Sequence, residues 1–356
     1  SLVEYDENGD LVPWLATSWE ISEDIKTLTW HLRDGVTWND GTPFTSADVK
    51  FSYEFIASPG YTGNFAAPVK TIVGFDEMRA GTATELEGVE IIDDLTLTVT
   101  TKEIYAEAVE RLGNYVHIIA KHQWEGIPLD KVLEQTDKLH NPIGTGPYMV
   151  KEYVPDSHTI VEKNVNYWGG EPVIDEFIFM IVNQETAPAM IARGELDYIE
   201  LNSLSPDIIK SYEDAGAVFI QVPTTYSQLL VLNNQSHYLK DVNVRRGLLY
   251  AVDRPSILEN IAYGYGRLVT QPYPPFFWAY GGDDKFDPYD YSPETAIKVL
   301  TEEAGWKYEN GTMYDTEGKP VVMKLIYPSG NKARELAAVV IQQNFKEIGI
   351  QLDITM

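Results

Sequence analysis

The sequence of 356 residues contains no cysteine. The absence of thiols excludes a disulfide framework, thiolate-bound zinc or iron–sulfur sites, and a cysteine nucleophile. Basic residues are also scarce, because 27 Lys and Arg stand against 54 Asp and Glu, which gives a formal net charge of −27. A surface this acidic repels phosphate backbones, so nucleic-acid binding is not expected. No apolar run approaches the roughly 20 residues that span a bilayer.

Several catalytic and cofactor motifs are also missing. No Gly-x-Ser-x-Gly elbow and no phosphate-binding P-loop occur, and the six histidines have no zinc-site spacing. We therefore predict neither a bound metal nor a cofactor. With 54 acidic residues, a glycosidase-type carboxylate pair is compatible with almost any fold, so a secreted glycoside hydrolase remains one alternative.

The apolar periodicity predicts a mixed α/β chain. In the first half, residues 27–33 and 95–100 alternate as strands do, and a helix begins near Thr45 with Phe51 and Phe55 on one face. Further predictions for this half are a hairpin at 148–153 and 159–162, a strand at 177–182 buried on both faces, a helix at 185–193 and a strand at 197–199.

The second half carries clear helix caps. Helices are predicted at 244–252, after Asp253 and after Ser292, the last two with proline in the first turn. A strand at 321–327, a helix from the cap Asn331 to Ile348, and a strand at 350–354 follow. This order is that of an α/β protein.

Aromatic residues are abundant, with 8 Trp, 22 Tyr and 12 Phe. Tyr61 and Phe65 lie in the Gly-rich segment 59–65, and Trp278 and Tyr280 lie in the segment 272–282. Aromatic side chains on loops suit a cleft that stacks on sugars or peptide side chains. The alternative is that such rings only pin long loops to the surface.

An ordered set of motifs resembles the family 5 extracellular solute-binding proteins of ABC importers. The matching stretches are residues 13–20, Trp30-His31-Leu32-Arg33-Asp34-Gly35 continuing through Trp38-Asn39-Asp40-Gly41-Thr42-Pro43 to Val49, Gly144-Thr145-Gly146-Pro147-Tyr148, Glu162-Lys163-Asn164 with Tyr167-Trp168, Gly194-Glu195-Leu196-Asp197, residues 241–246 with 250–254, residues 300–306 and residues 325–349. Each motif alone is weak, but they follow the family order along the whole chain.

The resemblance implies a periplasmic-binding-protein-like fold of two α/β lobes joined by hinge strands, with the ligand enclosed between them. It implies that residues 1–120 form an extra inserted subdomain of lobe 1, that 121–227 belong to lobe 1, and that 228–356 belong to lobe 2. Family members run well beyond 356 residues, so we expect the second lobe to be incomplete in this chain.

The resemblance also implies a non-catalytic receptor that captures an oligopeptide and delivers it to the membrane permease of an ABC importer. A β-linked oligosaccharide is the alternative ligand. Ala333 stands where some oligopeptide receptors have a histidine, which weakens a peptide-carboxylate contact at this position. The expected ligand-binding residues, from the aromatic loops and from the loop before the last helix, are Tyr61, Phe65, Tyr226, Trp278, Tyr280, Ser329 and Asn331.

The expected setting follows from the same resemblance. We expect a monomer in the extracellular or periplasmic space, with tethering to the outer face of the cell membrane as one option. Its partners would be the ligand and the permease subunits, and it would need no cofactor.

Overall fold

The structure is a computed structural model that describes residues 1–201, 204–222, 227–273, 275 and 279–356. The contacts between residues divide the chain into two units, Ser1–Ile181 and Val182–Met356. We call them the N-terminal unit and the C-terminal unit. The lobe and subdomain boundaries expected at residues 120 and 227 stay predictions.

The N-terminal unit contains three antiparallel sheets. Strands β1 and β2 form a hairpin, β3, β4, β6 and β5 form a four-stranded sheet in that order, and β7, β8 and β9 form the third sheet. The strands are β1 (Val3–Tyr5), β2 (Leu11–Pro13), β3 (Ala16–Ile21), β4 (Thr27–Leu32), β5 (Val89–Asp93), β6 (Thr96–Thr100), β7 (Tyr148–Val154), β8 (His158–Lys163) and β9 (Glu176–Met180). The predicted alternation in β4 and β6 is confirmed, because every second side chain of each is buried.

Helix α1 covers the core of the N-terminal unit. Its buried side includes Val49, Tyr53 and Ile56, which belong to the same cluster as the fully buried Trp30. The predicted face of Phe51 and Phe55 exists, with ring centroids 6.1 Å apart, but it is only half-buried. The unit contains the helices α1 (Ser46–Ala57), α2 (Ala66–Val69), α3 (Phe75–Arg79), α4 (Lys121–Trp124) and α5 (Thr136–His140), with a π-helical segment at Val109–Asn114 and a 3₁₀-helical segment at Leu129–Glu134.

The buried side chain of Asp48 joins three segments of this unit. It is only 4% exposed. Its Oδ2 accepts hydrogen bonds from the backbone N–H of Thr45 at 2.9 Å and from the indole N–H of Trp38 at 3.4 Å. Its Oδ1 accepts from the backbone N–H of Lys121 at 2.9 Å. The carboxylate of Asp48 can therefore be buried, because both of its oxygens accept hydrogen bonds from N–H groups that would otherwise lack an acceptor.

The third sheet agrees only in part with the sequence prediction. The hairpin of β7 and β8 is confirmed. Strand β9 pairs antiparallel with β8, with Glu176 opposite Glu162 and Met180 opposite His158. The predicted burial of the apolar run on both faces is wrong, because all five side chains of β9 are exposed. Among the described residues, β9 pairs only with β8, along one of its edges, and neither face of β9 is fully covered by other residues. A run of apolar residues predicts a strand but cannot specify what covers it.

The C-terminal unit is built mainly from helices. They are α6 (Ala187–Ala192), α7 (Pro206–Asp214), α8 (Val242–Ala251), α9 (Arg254–Asn260), α10 (Pro293–Lys298) and α11 (Lys332–Glu347), with short helical turns at Asp283–Lys285 and Val299–Glu303. The predicted caps are confirmed, since Asp253 accepts from Ser256 N–H and Ser292 accepts from Thr295 N–H. Helix α8 closely approaches the helical turn that follows α10, because a Cβ atom at Gly247 would lie 2.7 Å from the side chain of Leu300.

Two pairs of strands complete this unit. They are the antiparallel β10 (Lys307–Glu309) and β11 (Thr312–Tyr314), and the parallel β12 (Val322–Ile326) and β13 (Gln351–Thr355). The predicted strand–helix–strand of β12, α11 and β13 is confirmed. The strand predicted at 197–199 is wrong, because these described residues have no strand conformation, and so the βαβ unit expected around α6 does not form.

The hydroxyl of Tyr53 provides a test of the N-terminal core. This fully buried group donates to the backbone carbonyl of Leu112 at 2.9 Å. Tyr53→Phe leaves that carbonyl unpaired, so the free energy of unfolding should fall by about 1–3 kcal/mol. Tyr153→Phe is the matched control at an exposed ring and should change it by less than about 0.5 kcal/mol. Urea titration of both variants measures the difference, and equal losses would contradict this role of the hydroxyl.

Candidate ligand-binding site

The residues predicted to bind ligand are distributed over both units. Tyr61 and Phe65 lie in the N-terminal unit, and Tyr280, Ser329 and Asn331 lie in the C-terminal unit. Tyr226 and Trp278 lie outside the described residues. The candidate residues of the N-terminal unit and those of the C-terminal unit therefore belong to the surfaces of two different units.

Tyr61 is anchored to its own unit. Its ring meets Phe55 edge-on with centroids 6.2 Å apart. The guanidinium of Arg79 lies 5.9 Å from the ring centroid and donates to the carbonyl oxygens of Tyr61 and Ile56, both at 2.8 Å. Burial raises the pKa of the Tyr61 hydroxyl, against the opposing effects of the Phe65 backbone and Arg79. The ring of Tyr61 is thus partly covered by Phe55 and Arg79 of its own unit, and only the exposed part of the ring is available to a ligand.

Phe65 belongs to a cluster of three rings. Its centroid lies 5.4 Å from that of Tyr115 and 5.4 Å from that of His117, both in edge-on geometry. Tyr115 is 40% exposed, and the guanidinium of Arg111 lies 5.5 Å from its ring centroid. Burial lowers the pKa of His117, which favours the neutral imidazole. The cluster of Phe65, Tyr115 and His117, which we call the aromatic patch, is suited to stacking on an apolar or planar group.

The sequence analysis missed two members of the aromatic patch. Tyr115 and His117 are exposed on either side of the fully buried Val116. Tyr115 has helical backbone angles at the end of the preceding helical turn, so the bend of the chain, and not a strand-like alternation, brings both rings to Phe65. The sequence therefore carries no local signal for these two residues.

Tyr280 takes part in a polar network. Nη2 of Arg267 lies 2.5 Å from Oδ2 of Asp283 and 3.4 Å from the hydroxyl of Tyr280. A hydrogen bond to Asp283 raises the pKa of Tyr280. The buried Gln271 holds the neighbouring backbone, since it accepts from Gly281 N–H at 3.0 Å and donates to Gly282 carbonyl at 3.3 Å. Tyr280 is therefore held by hydrogen bonds as a polar group and is only partly exposed as a ring.

Ser329 and Asn331 lie in the loop between β12 and α11. This loop follows the carboxyl end of a parallel strand and precedes a helix N-terminus, which is where open α/β sheets bind ligands. Asn331 is used as the helix cap, because its Oδ1 accepts from Arg334 N–H at 3.0 Å. Nε of Arg334 donates to Oε1 of Gln228 at 3.0 Å. The exposed hydroxyl of Ser329 therefore remains the better candidate for ligand contact in this loop.

Two other kinds of site are not found in the described ranges. Among these residues no three or more His, Asp or Glu side chains form a group that could hold a metal ion. None of the helices described is both long and apolar enough to cross a bilayer.

The mixed α/β architecture is that of the two-lobe periplasmic binding proteins. The family model described as "Bacterial extracellular solute-binding proteins, family 5 Middle" matches residues 10–356. The chain therefore belongs to family 5 of the bacterial extracellular solute-binding proteins. The motif resemblance is confirmed by this match.

Known proteins are similar over nearly the whole chain. The dipeptide-binding protein of Escherichia coli K12 is 30% identical over 361 residues, which cover 97% of this chain and 63% of that protein. The chain thus spans less than two thirds of that relative. The structure of NikZ from Campylobacter jejuni in complex with Ni(L-His) has a TM-score of 0.77 at 25% identity, covering 99% of this chain and 67% of that one. The structure of AppA from Bacillus subtilis in complex with a nonapeptide has a TM-score of 0.74 at 25% identity, with the same coverage.

The cap at Asn331 can be separated from a contact with ligand. Asn331→Ala removes the acceptor for the first turn of α11 and should lower the free energy of unfolding by about 0.5–2 kcal/mol. Asn331→Asp keeps an acceptor oxygen at the same position and should stay close to the parent chain. Urea titration without ligand compares the two variants. If Asn331→Asp were as unstable as Asn331→Ala, the cap would not be the reason for the loss.

Proposed function

We propose that this chain is the substrate-binding part of an ABC importer that captures an oligopeptide between two lobes and delivers it to a membrane permease. The observation that carries the proposal is the family match over residues 10–356, together with the similarity to a dipeptide-binding protein over 97% of the chain. The ligand-complex structure of AppA, with its nonapeptide, supports the same ligand class.

The surfaces described above supply the chemistry for a peptide. The N-terminus of α11 has free backbone N–H groups and a partial positive charge, which suit a carboxylate. Ser329 adds a hydroxyl beside it. Taken by itself, the aromatic patch of the N-terminal unit offers apolar area that suits a side chain. None of these groups forms a nucleophile with an adjacent base, so we propose binding without catalysis.

The proposed setting is outside the cytoplasmic membrane. A receptor of this kind works as a monomer that meets the permease in its ligand-bound form. Ligand contacts made only in a closed form bias the population towards that form, which gives the permease a way to distinguish loaded from empty receptor. Tethering to the outer face of the membrane remains part of the proposal.

Peptide binding should raise thermal stability. At a free-ligand concentration of about 100 times Kd, mass action adds about 2.7 kcal/mol to the free energy of unfolding. We expect the melting temperature to rise with a mixture of di- to pentapeptides and to rise less with the same peptides acetylated and amidated at their termini. Differential scanning fluorimetry measures both.

Other outcomes of that experiment would contradict the peptide assignment. A shift only with cello- or xylo-oligosaccharides would replace the peptide by a sugar, and a shift only with a nickel–histidine complex would replace it by a metal chelate. Turnover of a glycoside that is lost on replacing one acidic residue would contradict the receptor itself.

Ser329 gives a more local test. Ser329→Ala removes one exposed hydroxyl without touching the cap, so peptide affinity should fall about fivefold, as expected for one hydrogen bond of about 1 kcal/mol. The melting temperature of the free protein should not change. Ser18→Ala, at an exposed position of β3, is the matched control. Calorimetric titration with the best peptide measures the affinities, and equal affinity of the Ser329→Ala variant and the parent would remove Ser329 from the site.

A further inference from the structure

A cavity of about 350 Å³ lies within the N-terminal unit, on the side of Phe55 that the ring of Tyr61 does not share. Its apolar wall is formed by α1, by the end of α4 and by the segment that follows α4, through Phe51, Phe55, Trp124, Pro128 and Leu129. Tyr61 and Phe65 do not line it. Most of its lining residues are apolar, and Glu54, Ser58 and Thr84 add polar groups, a combination that small-molecule sites of this size have. Because a water molecule occupies about 30 Å³ of liquid, the space suits roughly a dozen non-hydrogen atoms.

One carboxylate lines this cavity. The side chain of Glu54 is only 18% exposed. Its Oε1 accepts from Leu86 N–H at 3.1 Å and lies 3.7 Å from Nζ of Lys50. In the described part of the chain, Oε2 of Glu54 has no hydrogen-bond donor. Oε2 is not sealed from water, so this oxygen is free to accept a hydrogen bond from a bound molecule in place of solvent.

The charges around Glu54 do not cancel. Lys50 also pairs with Glu85, with Nζ 3.0 Å from Oε2, so one ammonium group serves two carboxylates. The group of Glu54, Lys50 and Glu85 therefore carries one net negative charge at neutral pH. Burial raises the pKa of Glu54, although the Leu86 N–H and Lys50 oppose the rise. A bound cation near Oε2 would compensate the remaining charge, whereas an anion would add to it.

We propose that this cavity binds a small amphipathic amine, with an aromatic or branched alkyl body between the rings and an ammonium group on Oε2 of Glu54. The rings of Phe51, Phe55 and Trp124 contact the body, and Glu54 selects for positive charge. The cavity shares no lining residue with the proposed peptide site, although Phe55 of its wall packs against Tyr61, so either proposal can fail without the other.

Three indole compounds of similar size test the site. Tryptamine carries the ammonium group, tryptophol carries a hydroxyl in its place, and indole-3-propionate carries a carboxylate. Calorimetric titration or saturation-transfer NMR with the 356-residue chain should show tryptamine binding about tenfold tighter than tryptophol, as expected for a charge-assisted hydrogen bond. Indole-3-propionate should not bind. Equal affinities for tryptamine and tryptophol, or no binding of tryptamine at millimolar concentration, would overturn the proposal.

Two variants locate the binding. Glu54→Gln keeps an acceptor for Leu86 N–H but removes the charge, so tryptamine should bind only as well as tryptophol does. Leu129→Ala shortens the apolar wall and should weaken both compounds together. Glu90→Gln, on the exposed part of β5, is the control for the loss of one acidic residue and should change nothing. Unchanged tryptamine affinity in both Glu54→Gln and Leu129→Ala would place the compound elsewhere.

The pH dependence gives an independent readout. Glu54 must be ionised to hold the ammonium group, and its pKa is raised by burial, so tryptamine affinity should already fall at a pH above the ordinary range of glutamate titration. Tryptophol affinity should stay constant over the same range. Lys50 remains charged throughout, and the exposed Glu85 contributes less because solvent screens it. A tryptamine affinity independent of pH down to the ordinary glutamate range would contradict the role of Glu54.

Discussion

The hydrogen bonds of Asp48 are the constraint on which the N-terminal unit depends. They tie the turn at Trp38, the start of α1 and the start of α4 to one buried side chain. Ser52, one turn further along α1, adds a second tie by accepting from Ile119 N–H at 2.9 Å. These bonds fix α1 against the segment that follows Lys121, and the two walls of the cavity are those same elements. Loss of Asp48 would therefore disturb both the core and the cavity.

The helices of the C-terminal unit were predictable because their signals are local. Asp253, Ser292 and Asn331 each lie directly before a helix and accept a hydrogen bond from its first turn. The strands were less predictable where they depend on distant partners. The apolar run at β9 was correctly predicted as a strand, but its exposure depends on what lies over it. Residues 197–199 have strand-like side chains, yet no neighbouring strand among the described residues pairs with them.

The candidate site shows the same division. The loop with Ser329 and Asn331 was found from the sequence because a strand, a short loop and a cap follow one another. Tyr61 and Phe65 were found because rings in a Gly-rich segment are conspicuous, but the sequence does not reveal that Arg79 and the Tyr115 ring occupy much of their surface. Glu54 could not be found at all. It is one of 54 acidic residues, and only the fold distinguishes it by removing it from water.

This difference in burial also explains why a net charge of −27 says little about the ligand. Most acidic side chains that form ion pairs here are well exposed, as Glu85 and Asp175 are. Charges in that position are screened by salt and contribute little to selection of a ligand. A carboxylate that lines a cavity and is mostly removed from solvent is screened much less, so it attracts a cation and repels an anion that enters the cavity. We therefore expect any selectivity for ligand charge to depend on a few half-buried groups such as Glu54, and not on the total net charge.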